Sequence, residues 1–391
     1  MAEEGHVNRL LPIVAGLARR GVAAHVFTDR RFAPGVAGAG GRFTDLFAGR
    51  LLEDADDASL PVPCRFVTFA GRHAREILPE VAALRPALVV SDGFAVIGRV
   101  VAGALGLPSV NVCAGHNVDA ARFRRLLASD PRVRISPECR RAVDILRERY
   151  GLRDASPFSY VADPSPLLNV YGEPAEYLTE EERRAFEPVV FFGSLPAEED
   201  LVRSSGKGGS FGGAPLRIYA SFGTVVWRYW QREALAAMKA VSDAVRAMPD
   251  ARALLSLGGA DVSPRELSGP NIAAVHRVDQ WDVLRETDVF VTHQGLSSTH
   301  EAVFHRVPMV SYPFFWDQPA LASVCRRFGF AVPLAGTPRG SVEPQDVATA
   351  LAEVAREREA MRLRLEEGRS WELRTVAGRE EILERIAGLC G

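Results

Sequence analysis

The residues best suited to bind a charged substrate follow the apolar run Val289–Thr292, which predicts a buried strand. After it come a histidine, a glycine turn and three hydroxyl side chains: His293, Gln294, Gly295, Ser297, Ser298 and Thr299. The three hydroxyl residues open a predicted helix, where backbone N–H groups are unpaired and the helix dipole is positive. An imidazole beside them adds a further donor. This strand, turn and helix predict a phosphate site.

A second polar group lies downstream, after the predicted strand Met309–Tyr312. Asp317 and Gln318 follow the end of that strand, and both side chains can accept hydrogen bonds from sugar hydroxyls. Ligands of open parallel sheets bind at the carboxyl edge of the strands. The alternative is a purely structural role, in which the pair forms only a turn and the start of a helix before Pro319.

The spacing of these residues resembles the donor-binding signature of family 1 glycosyltransferases. Counted from His293, the matching positions are Gly295, Glu301, Pro308 and the pair Asp317-Gln318. The run Ile218–Thr224 is similar to the strand and loop that open the C-terminal domain of that family. Gly5-His6-Val7-Asn8 resembles the bacterial natural-product, macrolide-type branch, which usually has proline where this chain has Arg9.

The resemblance implies an α/β fold of the GT-B type. In that fold, two Rossmann-like parallel-sheet domains face each other across a cleft, and a C-terminal helix packs back on the N-terminal domain. The N-terminal domain would bind the acceptor and the C-terminal domain a nucleotide sugar. The implied reaction is an inverting sugar transfer without a metal or other cofactor, the nucleotide sugar being a co-substrate.

The resemblance assigns the catalytic base to His6 and its orienting carboxylate to Asp92. Asp92 follows the predicted strand Ala87–Ser91, and His6 precedes a predicted helix running from a cap at Asn8 to Gly21. Both residues therefore map to one edge of the N-terminal sheet. A carboxylate can hold one ring nitrogen and stabilise the imidazolium, as in a serine-protease triad. The alternative for Asp92 is a simple helix N-cap.

The resemblance also assigns binding roles. The donor diphosphate would meet His293, Gly295, Ser297, Ser298 and Thr224, and the nucleoside would meet Arg277, Val278, Gln280 and Glu301. The sugar would meet Asp317 and Gln318, and the acceptor Phe94, His116 and Asn117, the last two being equally explained as helix-cap residues. Arg277 stands where many members have a base-stacking aromatic residue. An arginine plane can also stack, so uracil and thymine both remain open.

Alternating strand and helix patterns on either side of a glycine-rich run must position these residues, which predicts parallel sheets. We assign residues 1–194 to the acceptor domain, 195–214 to a Gly/Ser-rich linker, 215–372 to the nucleotide-sugar domain and 373–391 to the returning helix. A buried strand of ~5–6 residues is expected before Gly5, yet only four residues precede it. We therefore expect the first strand to be missing or truncated, either because Met1 is a downstream start or because the sequence is truncated.

Composition excludes several classes. The 391 residues carry a formal net charge of −2, which argues against nucleic-acid binding. No apolar run reaches the ~18 residues of a membrane span, so we expect no integral membrane contact. The five cysteines form no CxxC pair, and we expect a cytoplasmic protein. Asp54-Ala55-Asp56 spells a metal-binding DxD motif, but its acidic context favours a solvated loop.

The sequence thus predicts an inverting, metal-independent enzyme that moves a sugar from a TDP- or UDP-sugar to a small hydrophobic aglycone. The sugar is expected to be a deoxysugar and the setting antibiotic or other secondary metabolism. Two alternatives remain open. One is a GT-B sugar-nucleotide epimerase, and the other is a catalytically inactive nucleotide-sugar-binding auxiliary protein. The chain is expected to be a monomer or a homodimer.

Overall fold

The computed structural model of the 391-residue chain describes most of its length. The described residues are 3–52, 64–113, 115–121, 124–125, 135–158, 163–196, 198–202 and 211–391. The acidic Asp54–Asp56 motif lies outside them, as do residues 203–210 of the predicted linker. The described chain forms two compact units: unit 1 is Met1–Gly193 with Ala377–Gly391, and unit 2 is Ser194–Val376.

Unit 1 contains two parallel sheets. In the first, β1 (His25–Thr28) pairs with β2 (Arg42–Asp45). The second has the order β3-β4-β5-β6 and comprises Val89–Asp92, Ser109–Val112, Asn169–Tyr171 and Val189–Phe191. The helices of this unit are α1 (Glu4–Arg19), α2 (Ala33–Gly38), α3 (Cys64–Ala83), α4 (Val96–Leu105), α5 (Pro137–Tyr150), α6 (Glu180–Arg184) and, after unit 2, α14 (Arg379–Gly388).

Unit 2 is built on one six-stranded parallel sheet of order β12-β11-β10-β7-β8-β9. The strands are β7 (Leu216–Ser221), β8 (Ala251–Ser256), β9 (Ile272–Val275), β10 (Val289–Thr292), β11 (Met309–Ser311) and β12 (Ala331–Pro333). The helices are α7 (Glu198–Leu201), α8 (Val225–Tyr229), α9 (Gln231–Arg246), α10 (Gln280–Glu286), α11 (Leu296–Phe304), α12 (Gln318–Phe328) and α13 (Pro344–Ala377).

Each unit has its own apolar core. In unit 1, α1 and α14 pack over the sheet through Leu17 and Ile386, and they approach closely at Gly16. A Cβ on that glycine would lie 2.3 Å from Leu383 Cδ1, so a larger residue would force the Leu383 side chain to shift. In unit 2, β7 and β10 are buried at the centre, with the rings of Tyr219 and Phe290 stacked at 4.9 Å.

The helix α1 begins earlier than the sequence predicts. It starts at Glu4 with Glu3 as its N-cap, so the expected cap at Asn8 is wrong, and His6 lies in the first helical turn. In unit 2, Leu195 and Leu201 are buried against Phe304 although the sequence assigns them to a linker.

Among the helices of the described segments, none combines the length and apolarity needed to span a bilayer.

Candidate active site

The first polar cluster of the site is a histidine–carboxylate pair in unit 1, which we call the base dyad. His6 Nδ1 lies 2.8 Å from Asp92 Oδ2. The first turn of α1 supplies the histidine, and the carboxyl end of β3 supplies the aspartate. The Asp92 side chain is 1 % exposed, whereas that of His6 keeps 15 %. The dyad is therefore anchored inside the protein and reachable from outside through the imidazole.

The hydrogen bonds of Asp92 define the tautomer of His6. Burial alone raises the pKa of Asp92, but the His6 ring and the Phe94 amide outweigh burial and hold that pKa below its usual value. Asp92 Oδ1 accepts from the Phe94 N–H at 2.9 Å. An ionised carboxylate only accepts hydrogen bonds, so Nδ1 of His6 must carry a proton. Its Nε2 is left as the acceptor of the neutral ring.

An apolar pocket lies beside the base dyad. It is a small recess that is partly open to solvent. Its lining residues are all apolar: Leu46, Phe47, Leu52, Phe66, Phe69, Phe94, Ala95, Val96 and Ile97. The His6 and Phe94 rings lie 5.0 Å apart, which joins the pocket to the dyad.

The sequence analysis named Phe94 as an acceptor residue. It did not predict that three further phenylalanines line the pocket with it. Phe66 and Phe69 are three residues apart on α3, a spacing that places them on the same helix face. The sequence alone shows this spacing, and it could have predicted an aromatic face on α3. The third ring, Phe47, lies in an irregular segment whose position only the fold reveals.

His116 and Asn117 lie near the carboxyl ends of β4 and β5. Both are buried, and His116 Nδ1 is 2.9 Å from Glu173 Oε2. The Asn117 N–H donates to the Tyr171 hydroxyl at 2.7 Å, in a backbone conformation with φ of 47°. These contacts bind the loop to its own unit. Acceptor binding by the two residues stays a prediction.

Arg9, which replaces the proline of the family pattern, joins α1 to β4. Its side chain is buried, and Nη1 donates to the Cys113 carbonyl at 2.8 Å. A proline at this position would lack any such donor. The arginine therefore ties the helix that carries His6 to the sheet that carries Asp92.

The second polar cluster is the loop His293–Ser298 of unit 2, which we call the donor loop. It connects β10 to α11, and Gly295 occupies the N-cap position of that helix. Gln294 has a φ of 63°, the left-handed region that L side chains seldom adopt. Its buried amide donates to Thr299 Oγ1 at 3.1 Å and contacts Cys325 Sγ at 3.4 Å. The side chain thus holds the strained loop against α11 and α12.

The ring of His293 is confined by two glycines of unit 2. A Cβ on Gly295 would lie 2.3 Å from His293 Nε2, and one on Gly223 would lie 2.8 Å from it. Glycine is therefore required at both positions if the ring is to stay where it is. Burial lowers the pKa of His293 to about 4, and a hydrogen bond from the ring to the Ser221 backbone carbonyl opposes that fall. The imidazole is therefore neutral at pH 7.

Ser297 and Thr224 are at helix starts of the same unit. Ser297 lies in the first turn of α11, and Thr224 is the residue preceding α8. Both therefore stand where free backbone N–H groups and a hydroxyl coincide. Their contact with a diphosphate stays a prediction.

Gln280, Ser298 and Glu301 form a hydrogen-bonded group at the starts of α10 and α11. The Gln280 amide donates to Glu301 Oε2 at 2.7 Å and to Ser298 Oγ at 3.1 Å. Burial raises the pKa of Glu301 to about 7, while the hydrogen bond from Gln280 opposes that rise. A ribose hydroxyl that donated to this carboxylate would stabilise its charged form.

Arg277 and Val278 lie between β9 and α10. The Arg277 side chain passes close to Gly259, where a Cβ would lie 3.0 Å from its Nε. The next residue, Asp279, caps α10 by accepting from the Asp282 N–H. The cap fixes the short loop on which the predicted nucleoside residues are carried.

The Asp317-Gln318 pair begins α12 after a tight turn in which Trp316 has a φ of 55°. The buried Gln318 side chain holds that turn, because its Oε1 accepts from the Phe314 N–H at 2.8 Å. It was predicted to accept from sugar hydroxyls, yet its oxygen is already engaged. Contact of a sugar with Asp317 and Gln318 stays a prediction.

Across the residues that the structure describes, we find no group of three or more His, Cys, Asp or Glu side chains placed to hold a metal ion.

Known proteins resemble this chain in sequence and in fold. Residues 195–365 match the family described as "UDP-glucoronosyl and UDP-glucosyl transferase". NDP-glycosyltransferase YjiC of Bacillus subtilis (strain 168) is 25 % identical over 376 residues, covering 91 % of this chain and 88 % of its own.

Two solved structures have a similar fold. The glycotransferase of kitacinnamycin has a TM-score of 0.75 at 23 % identity, covering 99 % of this chain and 96 % of that one. Spinosyn rhamnosyltransferase SpnG, complexed with thymidine diphosphate, has a TM-score of 0.64 at 18 % identity, covering 97 % and 96 %. The predicted GT-B fold is confirmed.

Residues 195–365 thus match a glycosyltransferase family model, and the chain as a whole has the fold of known glycosyltransferases; together these findings support a glycosyltransferase.

Proposed function

We propose that the protein transfers a sugar from a TDP- or UDP-sugar to a hydroxyl of a small apolar natural product, with inversion at the anomeric carbon. The observation that carries the proposal is the base dyad, a solvent-reachable His6 held at 2.8 Å by a buried Asp92. The apolar pocket beside it supplies an apolar surface next to the imidazole. Two similar structures, the glycotransferase of kitacinnamycin and a spinosyn rhamnosyltransferase complexed with thymidine diphosphate, favour this donor and acceptor class.

In the proposed reaction, His6 Nε2 takes the proton of the acceptor hydroxyl as that oxygen attacks the anomeric carbon. A new glycosidic C–O bond forms while the bond from the carbon to the diphosphate breaks. The diphosphate leaves with the electron pair, and attack from the opposite face inverts the configuration. Asp92 stays ionised and stabilises the imidazolium, because its pKa is held low.

The leaving diphosphate needs stabilisation of its growing negative charge. We propose that the donor loop supplies it through the N–H groups at the start of α11, the hydroxyls of Ser297, Ser298 and Thr224, and His293. Because these donors are preorganised by the protein, we propose that the transfer proceeds without a metal ion. Activity that is unchanged after dialysis against a chelator is expected, and activity restored only by a divalent cation would contradict it.

The other donor contacts follow the same logic. Glu301 is proposed to accept from the ribose hydroxyls, displacing the Gln280 amide. Arg277 is proposed to stack on the base, with Val278 beside it, and Asp317 and Gln318 are proposed to contact the sugar. The cytoplasmic location and the oligomeric state expected from the sequence stay predictions.

The test is a panel of TDP- and UDP-sugars incubated with small aromatic and aliphatic alcohols, followed by mass spectrometry and NMR of the products. An α-linked donor is expected to give a β-linked glycoside, visible as a large anomeric coupling constant. Retention of configuration would contradict the single-displacement mechanism. A free epimerised nucleotide sugar without glycoside would support the epimerase alternative, and donor binding without any product would support the inactive auxiliary protein.

A further inference from the structure

The hydroxyl of Tyr219 reaches from the sheet of unit 2 to the hydrogen-bonded group at the starts of α10 and α11. Tyr219 lies on β7 and is 1 % exposed. Its hydroxyl lies 3.4 Å from Gln280 Oε1, the oxygen of the amide whose nitrogen donates to Ser298 and Glu301. A buried tyrosine hydroxyl usually has a hydrogen-bond partner. The phenol, the amide and the carboxyl group of Glu301 therefore form one chain of contacts.

Two serines direct the phenol proton toward Gln280. Burial raises the pKa of Tyr219 well above its usual value, whereas hydrogen bonds with Ser221 and Ser256 lower it, so the phenol remains protonated at neutral pH. A hydrogen bond that lowers the pKa of a phenol is one that its oxygen accepts. Ser221 and Ser256 are register partners at the ends of β7 and β8. Because they occupy both acceptor positions of the phenol oxygen, its O–H is left to donate to Gln280 Oε1.

The phenol decides which end of the Gln280 amide faces Glu301. An amide has an oxygen that accepts hydrogen bonds and a nitrogen that donates them. Because Tyr219 holds the oxygen, the nitrogen is the end that meets the Glu301 carboxyl group. A donor stabilises the ionised carboxylate, whereas an oxygen in its place would stabilise the protonated acid. The phenol therefore favours, through Gln280, the form of Glu301 that accepts hydrogen bonds.

We propose that Tyr219 is a positioning residue for nucleotide binding: its hydroxyl holds Gln280 in the orientation that keeps Glu301 ready to accept a ribose hydroxyl. This inference rests on the proposed contact between Glu301 and the ribose. A ribose hydroxyl that replaces the Gln280 amide on Glu301 needs an ionised carboxylate to donate to. Tyr219 is itself buried and acts only through Gln280.

The other groups around Glu301 make its protonation sensitive to a single hydrogen bond. Burial raises its pKa to about 7, and the hydrogen bond from Gln280 opposes that rise. Asp279, the N-cap of α10, raises this pKa further, and His300, the preceding residue on α11, lowers it. His300 Nδ1 lies 2.5 Å from Glu372 Oε1 on α13. Near neutral pH the carboxyl group is therefore divided between its two forms.

The first measurement uses the unmodified protein and titration calorimetry. It compares UDP with dideoxy-UDP, which has the same base and diphosphate but no ribose hydroxyls, at pH 6, 7, 8 and 9. Only the ionised carboxylate accepts from the ribose, so the preference for UDP should grow about tenfold from pH 6 to pH 8. The diphosphate is common to both compounds, so its own titration cancels. If TDP binds more tightly than UDP, TDP and its analogue without the ribose hydroxyl form the pair.

Tyr219→Phe removes only the hydroxyl and keeps the ring that stacks on Phe290. At pH 7 we expect it to weaken UDP binding about fivefold and to leave dideoxy-UDP within about twofold. At pH 9 the loss should fall below about twofold, because Glu301 is then ionised in both proteins. In a Glu301→Gln background, Tyr219→Phe should have no further effect. The matched control is Tyr171→Phe, which removes a buried hydroxyl that accepts from the Asn117 N–H in unit 1 and should leave both affinities unchanged.

The outcomes separate this inference from the proposed function. Equal binding of UDP and dideoxy-UDP by the unmodified protein, or a preference that does not change with pH, would overturn the inference, whether or not any variant folds. It would also be overturned if Tyr219→Phe, shown to be folded by circular dichroism, kept the native affinity for UDP at pH 7 or weakened both nucleotides alike at every pH. The proposed function fails on a different result, the absence of sugar transfer when donors and acceptors are supplied.

Discussion

Replacing Asp92 with asparagine tests the base dyad at its most sensitive point. Asp92 Oδ1 accepts from the Phe94 N–H, so the amide oxygen of an asparagine would occupy that position. Its amide nitrogen would then face His6 Nδ1, where the native Oδ2 lies at 2.8 Å. An N–H group there must meet an unprotonated Nδ1, which leaves the proton of the neutral ring on Nε2. The ring would present a donor where the reaction needs an acceptor.

The expected loss is large. General base catalysis typically contributes 10²–10⁴-fold to a rate, which corresponds to about 2.7–5.4 kcal/mol at 1.36 kcal/mol per tenfold. We expect kcat/KM of Asp92→Asn to fall within that range in a coupled assay of nucleotide diphosphate release. The affinity for TDP or UDP, measured by calorimetry, should stay within about twofold, because the donor residues belong to unit 2.

A second readout of the same variant is the stability at acid pH. The folded pKa of Asp92 is lowered from its ordinary 3.8. Its contribution to stability is therefore present above about pH 4 and is lost as the pH falls through the folded value. Asp92→Asn should lose stability less steeply than the unmodified protein below pH 4 in urea titrations.

The control is Asp29→Asn, a partly exposed aspartate of unit 1 whose side chain caps a turn by accepting from the Arg31 N–H. Asparagine caps as well as aspartate, so activity should be unchanged. A folded Asp92→Asn enzyme with more than a third of the native kcat/KM would refute the tautomer argument. A parallel loss in the Asp29→Asn control would show that the assay reports charge or folding instead.

Three further predictions concern unit 2. The pKa of Glu301 is raised from 4.5 to about 7, so the protonated form of its side chain, which stabilises the fold, is lost as the pH rises through 7. At pH 8, Glu301→Gln should therefore exceed the unmodified protein in free energy of unfolding by up to about 3 kcal/mol, measured by urea titration. Gly295→Ala should displace the His293 ring and weaken TDP and UDP binding roughly tenfold or more in calorimetry, while Gly388→Ala, whose Cβ would meet open space, should not. Gln294→Gly should have a free energy of unfolding about 1 kcal/mol higher than that of Gln294→Ala, because only glycine accepts a φ of 63° freely. Equal free energies of unfolding would count against strain in the donor loop.

Local patterns predicted the parts of the fold that depend on neighbours in sequence. The strand Val289–Thr292, the glycine turn and the following helix were placed correctly because an apolar run, a glycine and hydroxyl residues each have strong local preferences. The strand Leu216–Ser221 was also placed correctly. The start of α1 was not, because Asn8 is a good cap type but the chain continues the helix back to Glu4.

The parts that were missed depend on contacts between distant segments. The apolar pocket joins Phe47, Phe66 and Phe94 from three separate stretches, and no single stretch predicts it. The engagement of the Gln318 oxygen by its own turn was equally hidden, since the sequence shows an amide without showing its partner. Residue types indicated which groups could do chemistry, whereas burial decided their charge, as in the low pKa of His293.

The most direct test of the account is a paired measurement on His6→Ala. The account predicts that this folded variant transfers no detectable sugar from the donor that serves the unmodified protein, while TDP and UDP bind with unchanged affinity. Transfer at a rate close to that of the unmodified protein would contradict the assignment of His6 as the base. So would a loss of nucleotide binding that accounted for the whole loss of transfer.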